Sequence, residues 1–342
     1  MKKTILLATA LAVSAATAAT AIAAPLDSKG IPADADGIIH VDLELCAKTA
    51  IGAAIKQFSE KTLVEKNTGR EDYERFKKQT GIDPEKDISG VTIGLFKPDG
   101  GTRMPSAIAV VRGTFSPDKI IAAAKENKCA VTTRGALTLI DATTLAAASR
   151  GAVGDDSEND EPAAPAKTQT AFAGIVDKNT ILVAETAAIV EKAAATLSGD
   201  AGSYAPPAVL DTFGKQEGAP MLLACFTRGL ANDAASSMPI LKAENILVAL
   251  SEKGSSLRAR IYSEYATPEA ARKTRAAVQM LIGVLQMGAA SSDSAEAAEQ
   301  MQNLQRLIDS LKINLHDKSL DITADYPVAA LIEQMKKYNA GE

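Results

Sequence analysis

The chain has no tryptophan, two histidines and three cysteines among 342 residues, and its aromatic content is 4%. The two histidines, His40 and His316, stand far apart in the sequence. No Gly-x-Ser-x-Gly, His-Glu-x-x-His or glycine-rich phosphate loop occurs, and Gly100-Gly101 is typical of a hairpin turn. These absences argue against nucleophile–imidazole hydrolases, zinc proteases and nucleotide-binding enzymes.

The cysteines are too few and too scattered for a metal or redox motif. Cys46, Cys129 and Cys225 form no Cys-x-x-Cys, and an odd number leaves at least one thiol unpaired. Cys129 begins an apolar stretch and Cys225 lies inside Met-Leu-Leu-Ala-Cys-Phe, so we expect both to be small buried side chains. We predict no metal ligands and no cofactor-binding residues.

Basic residues do not exceed acidic ones. The chain has 37 Lys and Arg against 42 Asp and Glu, a formal net charge of −5. An acidic chain without a basic run argues against nucleic acid and anionic membrane surfaces as partners. No stretch after residue 24 approaches the ~18 apolar residues that cross a bilayer, so we predict no stable membrane insertion.

Residues 1–24 have the features of a secretory signal peptide. Lys2 and Lys3 precede an apolar stretch, and Ala21-Ile22-Ala23 matches the small-residue pattern of a cleavage site. No cysteine follows directly, which argues against a lipoprotein. We therefore expect a periplasmic or secreted protein, cleaved near Ala23.

The sequence repeats a pattern of alternating strands followed by a helix. Residues 106–121 resemble 257–271, where each strand runs into Ser/Thr-Pro and an acidic residue. Residues 174–194 resemble 313–335, with Asp177-Lys178 matching Asp317-Lys318. Hairpins that lead into helices give antiparallel sheets with helices on one face. We predict an α+β fold made of two diverged copies of a hairpin–helix unit.

Composition sets the domain boundaries. We predict a signal peptide over 1–24, a first α+β repeat over 25–200 and a second over 201–342. The first repeat includes residues 146–170, which are rich in acids and prolines and are too polar to bury a core, so we expect a mobile insertion there.

One candidate for chemistry is the Ser116-Pro117-Asp118-Lys119 segment. It matches the Ser-x-x-Lys spacing of penicillin-binding enzymes, in which lysine activates the serine. The companion Lys-Thr-Gly and Ser-Asp-Asn motifs are missing, and the matching segment that begins at Thr267 lacks the lysine. We therefore expect Ser116 to cap a helix, its hydroxyl accepting a nearby backbone N–H.

Other clusters of polar residues have simple structural explanations. His40 and Asp42 share one face of a predicted strand but lack further ligands nearby. The acidic run from Asp155 to Glu161 lacks the spacing of a calcium loop. Arg258 and Arg260 are expected to face water and to pair with the cross-strand acids Asp321 and Asp325.

Tandem hairpin–helix units behind an export signal, with the opening IPADADGIIHVDLE at 31–44, resemble uncharacterised exported α+β proteins of Gram-negative bacteria. These are families of unknown function, so the resemblance implies a class and no active site. We expect a non-enzymatic binding module for an envelope protein or a small apolar or peptide ligand. The alternatives are a structural cell-surface component and an unrecognised hydrolase that uses carboxylates from Asp42, Glu44, Asp83 or Asp87.

Overall fold

The computed structural model describes residues 28–65, 68–97, 106–143, 170–210, 213, 220–227, 242–289 and 295–340. The predicted signal peptide lies outside these residues, and so does the acidic insertion apart from Thr170. The elements, in chain order, are β1 (Gly37–Asp42), α1 (Leu43–Ala47), α2 (Ala50–Glu65), α3 (Thr68–Thr80), α4 (Pro84–Asp87), β2 (Ile88–Phe96), β3 (Ser106–Gly113), α5 (Pro117–Glu126), β4 (Ala130–Arg134), β5 (Leu137–Asp141), β6 (Phe172–Asp177), β7 (Thr180–Ala184), α6 (Ala187–Ser198), β8 (Leu222–Thr227), β9 (Asn245–Lys253), β10 (Ser256–Glu264), α7 (Pro268–Ala289), α8 (Ala295–Ser310), β11 (Lys312–His316), β12 (Ser319–Pro327) and α9 (Val328–Ala340).

The chain divides into two compact units. The first takes in residues up to Ala35 and from Ser59 to Ala205, and the second takes in Asp36–Phe58 and everything from Pro206 onward. In both, neighbouring strands pair antiparallel, which confirms the predicted α+β class. Among the described helices, none is both long enough and apolar enough to cross a membrane.

The first unit builds its sheet in the order β2-β3-β7-β6-β5-β4. Helix α6 lies directly on this sheet at Gly174, where a Cβ would come within 2.5 Å of the Val190 side chain. Glycine is needed here because any side chain would push the helix away from the sheet. A second group of buried side chains joins α5 to β4, β5 and β6 through Ala124, Cys129, Ile140 and Ile175.

The second unit builds its sheet in the order β1-β8-β9-β10-β12-β11. The first strand of the chain is part of this sheet, because β1 pairs with β8 in a register that places Gly37 opposite Phe226. Residues 36–58 therefore belong with the C-terminal unit, whereas the sequence pattern placed them in a repeat over 25–200. Pairing between strands so distant in sequence leaves no local signal.

Two clusters of buried side chains hold the second unit together. One surrounds Tyr265 and Ala271 and joins α7 to the strands through Ile246, Leu320 and Ile322. The other surrounds Ile51, Met221 and Val328 and joins the start of α2 to α9. The face of β10 that carries Leu257 and Ile261 contributes to both clusters, since Leu257 contacts the second and Ile261 the first.

Candidate functional site

A gap in the side-chain ladder of β10 and β12 forms the floor of an apolar pocket in the second unit. On one face of these strands Leu257 stands opposite Tyr326, Ala259 opposite Ala324, and Ile261 opposite Ile322. Side chains two residues apart on a strand share a face, so these three pairs lie side by side. The middle pair is two alanines, and their small side chains leave space between two bulky pairs.

Helices α8 and α9 flank this space, which is open to solvent. Asn303, Leu304 and Leu307 line it from α8, and Leu331 and Gln334 line it from α9. The pocket has a volume of about 410 Å³ and none of its lining residues is charged. Pockets for small molecules commonly measure ~300–1,000 Å³ and combine apolar walls with a few polar groups. Size and lining therefore both suit a small apolar ligand.

Tyr326, one of the residues that line this pocket, carries a buried hydroxyl. Its oxygen is buried and, among the described residues, no hydrogen-bond partner reaches it. A buried hydroxyl without a partner is costly, and native structures usually satisfy such groups.

The opposite face of the same two strands carries charges that pair with one another. Arg258 donates to Asp325 through Nε and Nη2 at 2.7 and 3.0 Å, and Arg260 donates to Asp321 at 3.0 and 2.6 Å. These contacts confirm the predicted cross-strand pairing. The prediction that Arg260 faces water is wrong, because its side chain is only 13% exposed. Its guanidinium lies 4.7 Å from the centre of the Phe213 ring.

A larger cavity in the first unit is a weaker candidate. It has a volume of about 780 Å³ and charged residues of both signs in its lining. Several of these groups already have partners in the same unit: Arg134 pairs with Glu191, and Arg112 donates to Thr180 at 2.6 Å. Asp200 likewise accepts from the Ser198 hydroxyl at 2.6 Å. Among the described residues, all buried polar side-chain atoms without a partner lie in the second unit.

The structure keeps the two histidines apart. His40 is buried on β1 and His316 is exposed at the end of β11. Four strands lie between β1 and β11 in the sheet order, which corresponds to about 24 Å at the usual strand spacing. Within the described ranges, no group of three or more His, Cys, Asp or Glu residues could hold a metal ion.

Ser116 has the predicted place in the chain but lacks the predicted bond. It is the N-cap of α5 with extended backbone angles, φ −107° and ψ 93°, and Pro117 follows in the first turn. Its side chain makes no capping hydrogen bond, so that part of the prediction is wrong. Thr267, before α7, does accept the Ala270 N–H at 3.2 Å. The Lys119 side chain lies against Gly81.

The carboxylates proposed for a hydrolase make structural contacts. Asp42 Oδ1 accepts the Leu45 N–H at the start of α1 at 2.8 Å. Asp83 accepts the Glu85 N–H at 3.2 Å and pairs with Lys77 at 3.0 Å. Asp87 accepts the Asp83 N–H at 2.6 Å. These four contacts are local backbone or ion-pair contacts, which explain Asp42, Asp83 and Asp87 without catalysis.

Local charge and burial shift two of these carboxylates in opposite directions. Burial alone would raise the pKa of Asp83, but the hydrogen bond and charge of Lys77, with help from Lys86, lower it overall. Burial and the nearby charge of Asp42 raise the pKa of Glu44. A raised pKa suits a general acid, but the neighbouring Asp42 is engaged in capping α1.

The cysteines are free thiols in protected surroundings. Cys129 and Cys225 are buried, as predicted. Cys46 is partly exposed, and burial, with the charge of Asp42, raises the pKa of its thiol to about 12. A thiol that resists ionisation is a poor nucleophile, so Cys46 does not have the character of a reactive cysteine.

Sequence reasoning missed Tyr326 and the alanine pair. The alternation of β10 was visible, with Leu257, Ala259 and Ile261 on one face. The register of β10 with β12 places Ala324 opposite Ala259. The signal was therefore present as two small residues in otherwise bulky strands.

No family model matches the chain, and no curated protein matches it. Three solved structures with which it aligns are crystal forms of TP0453. Form I has a TM-score of 0.42 and 9% identity over 92% of this chain and 98% of that one. Form III has a TM-score of 0.44 and 9% identity over 90% of this chain and 97% of that one. Form IV has a TM-score of 0.43 and 11% identity over 92% of this chain and 97% of that one. A likeness of this degree identifies neither a family nor a function.

Proposed function

We propose that the protein binds a small apolar ligand in the pocket between β10, β12, α8 and α9, and that it acts without catalysis. The observation that carries the proposal is the alanine pair Ala259–Ala324 beneath two helices that leave about 410 Å³ open. Leu257, Leu304, Leu307 and Leu331 supply apolar walls. Removing an apolar molecule from water into such a pocket is favourable in proportion to the area covered.

Filling the pocket tests this function. The wild-type protein should bind the neutral dye N-phenyl-1-naphthylamine at one saturable site, with the rise in fluorescence that follows transfer to an apolar environment. Ala259→Leu places a larger side chain on the floor and should abolish saturable binding. Ala329→Leu adds the same atoms at an exposed position of α9 and should bind as the wild type does.

Two results would overturn the proposal. The first is an absence of saturable binding to the wild-type protein. The second is unchanged binding by an Ala259→Leu protein whose circular dichroism and thermal unfolding match those of the wild type.

We place this binding protein outside the cytoplasm. Lys2, Lys3, the apolar stretch after them and Ala21-Ile22-Ala23 support export and cleavage near Ala23. Expression in a Gram-negative host, followed by osmotic shock and intact mass measurement, tests this. Release of a chain that lacks residues 1–23 is the expected result, and retention of the full chain in the cytoplasm would contradict it.

Duplication of one hairpin–helix unit is the origin we propose for the two units. The support is a common strand order: β2-β3-β7-β6 in the first unit corresponds to β9-β10-β12-β11 in the second. In the first unit a helix follows β3 and another follows β7, and in the second unit a helix follows β10 and another follows β12. In an experimental structure, residues 90–127 should superpose on 245–283, and 171–197 on 312–338, with equivalent Cα atoms closer than one residue spacing, about 3.8 Å.

A further inference from the structure

The second half of α7 is apolar around its whole circumference. Over residues 276–289 the only polar side chains are those of Gln279 and Gln286. A helix that is apolar all round is normally buried all round. One side of this half is covered, because Val278 packs against the buried cluster around Tyr265. The other side is not, and its exposure is the feature that needs an explanation.

Three large apolar side chains on that other side are exposed and form one patch. Met280 has 70% of its surface exposed, Leu281 56% and Val284 52%. Val284 stands three residues after Leu281 and four after Met280, so it neighbours both on the helix surface. Among the described residues, only two other large apolar side chains are exposed, and they lie far from this patch in the sequence. Contiguous exposed apolar surface is typical of an interaction site, whereas single exposed residues are ordinary.

The distribution of charge along α7 favours one kind of partner. All its charged residues lie in the first half, and they are Glu269, Arg272, Lys273 and Arg275. Lys273 lies on the same side of the helix as the patch, about two turns before Met280 and about three before Val284. Two α7 helices packed in parallel along this side would bring the two copies of Lys273 together. Antiparallel helices would instead place each Lys273 near the uncharged C-terminal end of the other helix, where the helix dipole is negative.

We infer that two copies of this chain associate through antiparallel α7 helices, with Met280, Leu281 and Val284 at the interface. A two-fold axis near Leu281 gives both copies the same contacts, so that the patch of one covers the patch of the other. Removing these side chains from water favours association.

The interface is small and lies apart from the proposed ligand pocket. None of the residues that line the pocket belongs to α7. Three side chains supply far less than the ~800 Å² per partner that is usual in a stable complex, so we expect a reversible dimer.

Sedimentation equilibrium over about a hundredfold range of protein concentration tests the association. The mass of the wild-type protein should rise from that of one chain towards that of two. Met280→Glu places a charge in the interface and should weaken the dimer about tenfold or more. Because Met280 is exposed in the single chain, this variant should fold normally. Gln279→Glu is the matched control: it adds the same charge at an exposed position on another side of the helix and should associate as the wild type does.

Disulfide cross-linking tests the orientation of the two helices. Leu281→Cys lies near the proposed axis and should give a covalent dimer under mild oxidation. Lys273→Cys should not, because antiparallel packing separates the two copies of residue 273 by more than ~20 Å at 1.5 Å per residue.

The wild-type protein is the background control for cross-linking. Cys129 and Cys225 are buried, and burial raises the pKa of the Cys46 thiol to about 12, so the native thiols should react slowly.

Three results would contradict the inference. The mass of a single chain at every concentration would overturn it, since a different protein or a lipid surface would then have to cover the patch. A dimer that Met280→Glu leaves intact would place the interface elsewhere on the molecule. Cross-linking of Lys273→Cys as fast as that of Leu281→Cys would overturn the antiparallel arrangement. The proposed ligand pocket is tested separately by dye binding, which does not depend on these results.

Discussion

Phe115 and Tyr265 make the same backbone contact in the two units. The N–H of Phe115 donates to the Lys178 carbonyl at 2.7 Å, and the N–H of Tyr265 donates to the Lys318 carbonyl at 2.9 Å. Both rings are buried, with 7% and 1% of their surface exposed, and each acceptor lysine follows an aspartate in a hairpin turn. The two positions differ by one hydroxyl group, and that of Tyr265 is buried without a partner among the described residues.

Tyr265→Phe should leave stability unchanged or raise it by up to about 1 kcal/mol, because it removes a buried hydroxyl that has no hydrogen bond to lose. The reciprocal change, Phe115→Tyr, should lower stability by about 1–3 kcal/mol by burying an unsatisfied hydroxyl. Urea unfolding of both variants measures this. A clear loss of stability in Tyr265→Phe would mean that its hydroxyl has a partner.

Ser116 and Thr267 each stand at the N-cap of a helix, but replacing them with alanine should affect stability differently. Thr267 accepts the Ala270 N–H, and its loss should destabilise by about 0.5–2 kcal/mol. Ser116 makes no capping bond, so its replacement should change stability by no more than about 0.5 kcal/mol, as at ordinary surface positions. Equal losses in chemical denaturation would show that the Ser116 hydroxyl caps its helix after all.

Arg260→Ala should be more damaging than Arg258→Ala. The Arg260 side chain is 13% exposed and Asp321 is 15% exposed, so losing the arginine leaves a largely buried carboxylate and should destabilise by about 1.5–3 kcal/mol. Arg258 and Asp325 are 31% and 26% exposed, and exposed pairs contribute about 0.2–1 kcal/mol.

Lysine should not substitute fully for Arg260. It keeps the positive charge but loses the paired hydrogen bonds to Asp321 and the guanidinium contact with the Phe213 ring. Thermal unfolding of Arg260→Lys should therefore fall between those of the wild type and Arg260→Ala. If Arg260→Lys were as stable as the wild type, charge attraction to Asp321 alone would account for the contribution of Arg260.

The Glu252 side chain on β9 should stabilise the start of α2. Its two carboxylate oxygens accept the Ala50 and Ile51 N–H groups, each at 3.0 Å. Glu252→Ala should lose about 0.5–2 kcal/mol, as when other helix N-terminal partners are removed. Glu252→Gln keeps one acceptor oxygen and should lose less. Similar losses in the two variants would point to the side-chain stem instead of its oxygens.

Acid should weaken the second unit through Asp325. The hydrogen bond from Arg258 lowers the pKa of Asp325 below 3.8, and the positive charge of Arg258 lowers it further. Burial opposes this shift only in part. The unfolded chain therefore binds this proton more readily than the folded one, so the stability Asp325 supplies is present above about pH 4 and is lost as pH falls further. Unfolding curves from pH 6 to 3 should show a shallower decline below pH 4 for Asp325→Asn. If the stability of Asp325→Asn declined below pH 4 as steeply as that of the wild type, groups other than Asp325 would cause the acid sensitivity.

Local patterns predicted most elements but not their long-range partners. The segments 106–121 and 257–271 each contain a strand that leads into a helix, as expected, because alternation and turn residues are local signals. The pairing of β1 with β8 and the position of Phe213 over Arg260 depend on contacts between distant segments. The pocket could be predicted only in part. The sequence shows Ala259 and Ala324 among bulky residues, but only the register of β10 with β12 places them opposite each other.

The placement of β1 also constrains the order in which the chain can fold during synthesis. Its partner β8 begins at Leu222, so β1 has no strand to pair with there until more than half of the chain has left the ribosome. The strands of the first unit, from Ile88 to Ala184, are complete before that point. Contacts of long sequence separation form late because closing their loop costs entropy first. The edge of β1 that pairs with β8 is thus among the last to be paired, and until then its backbone N–H and C=O groups are exposed.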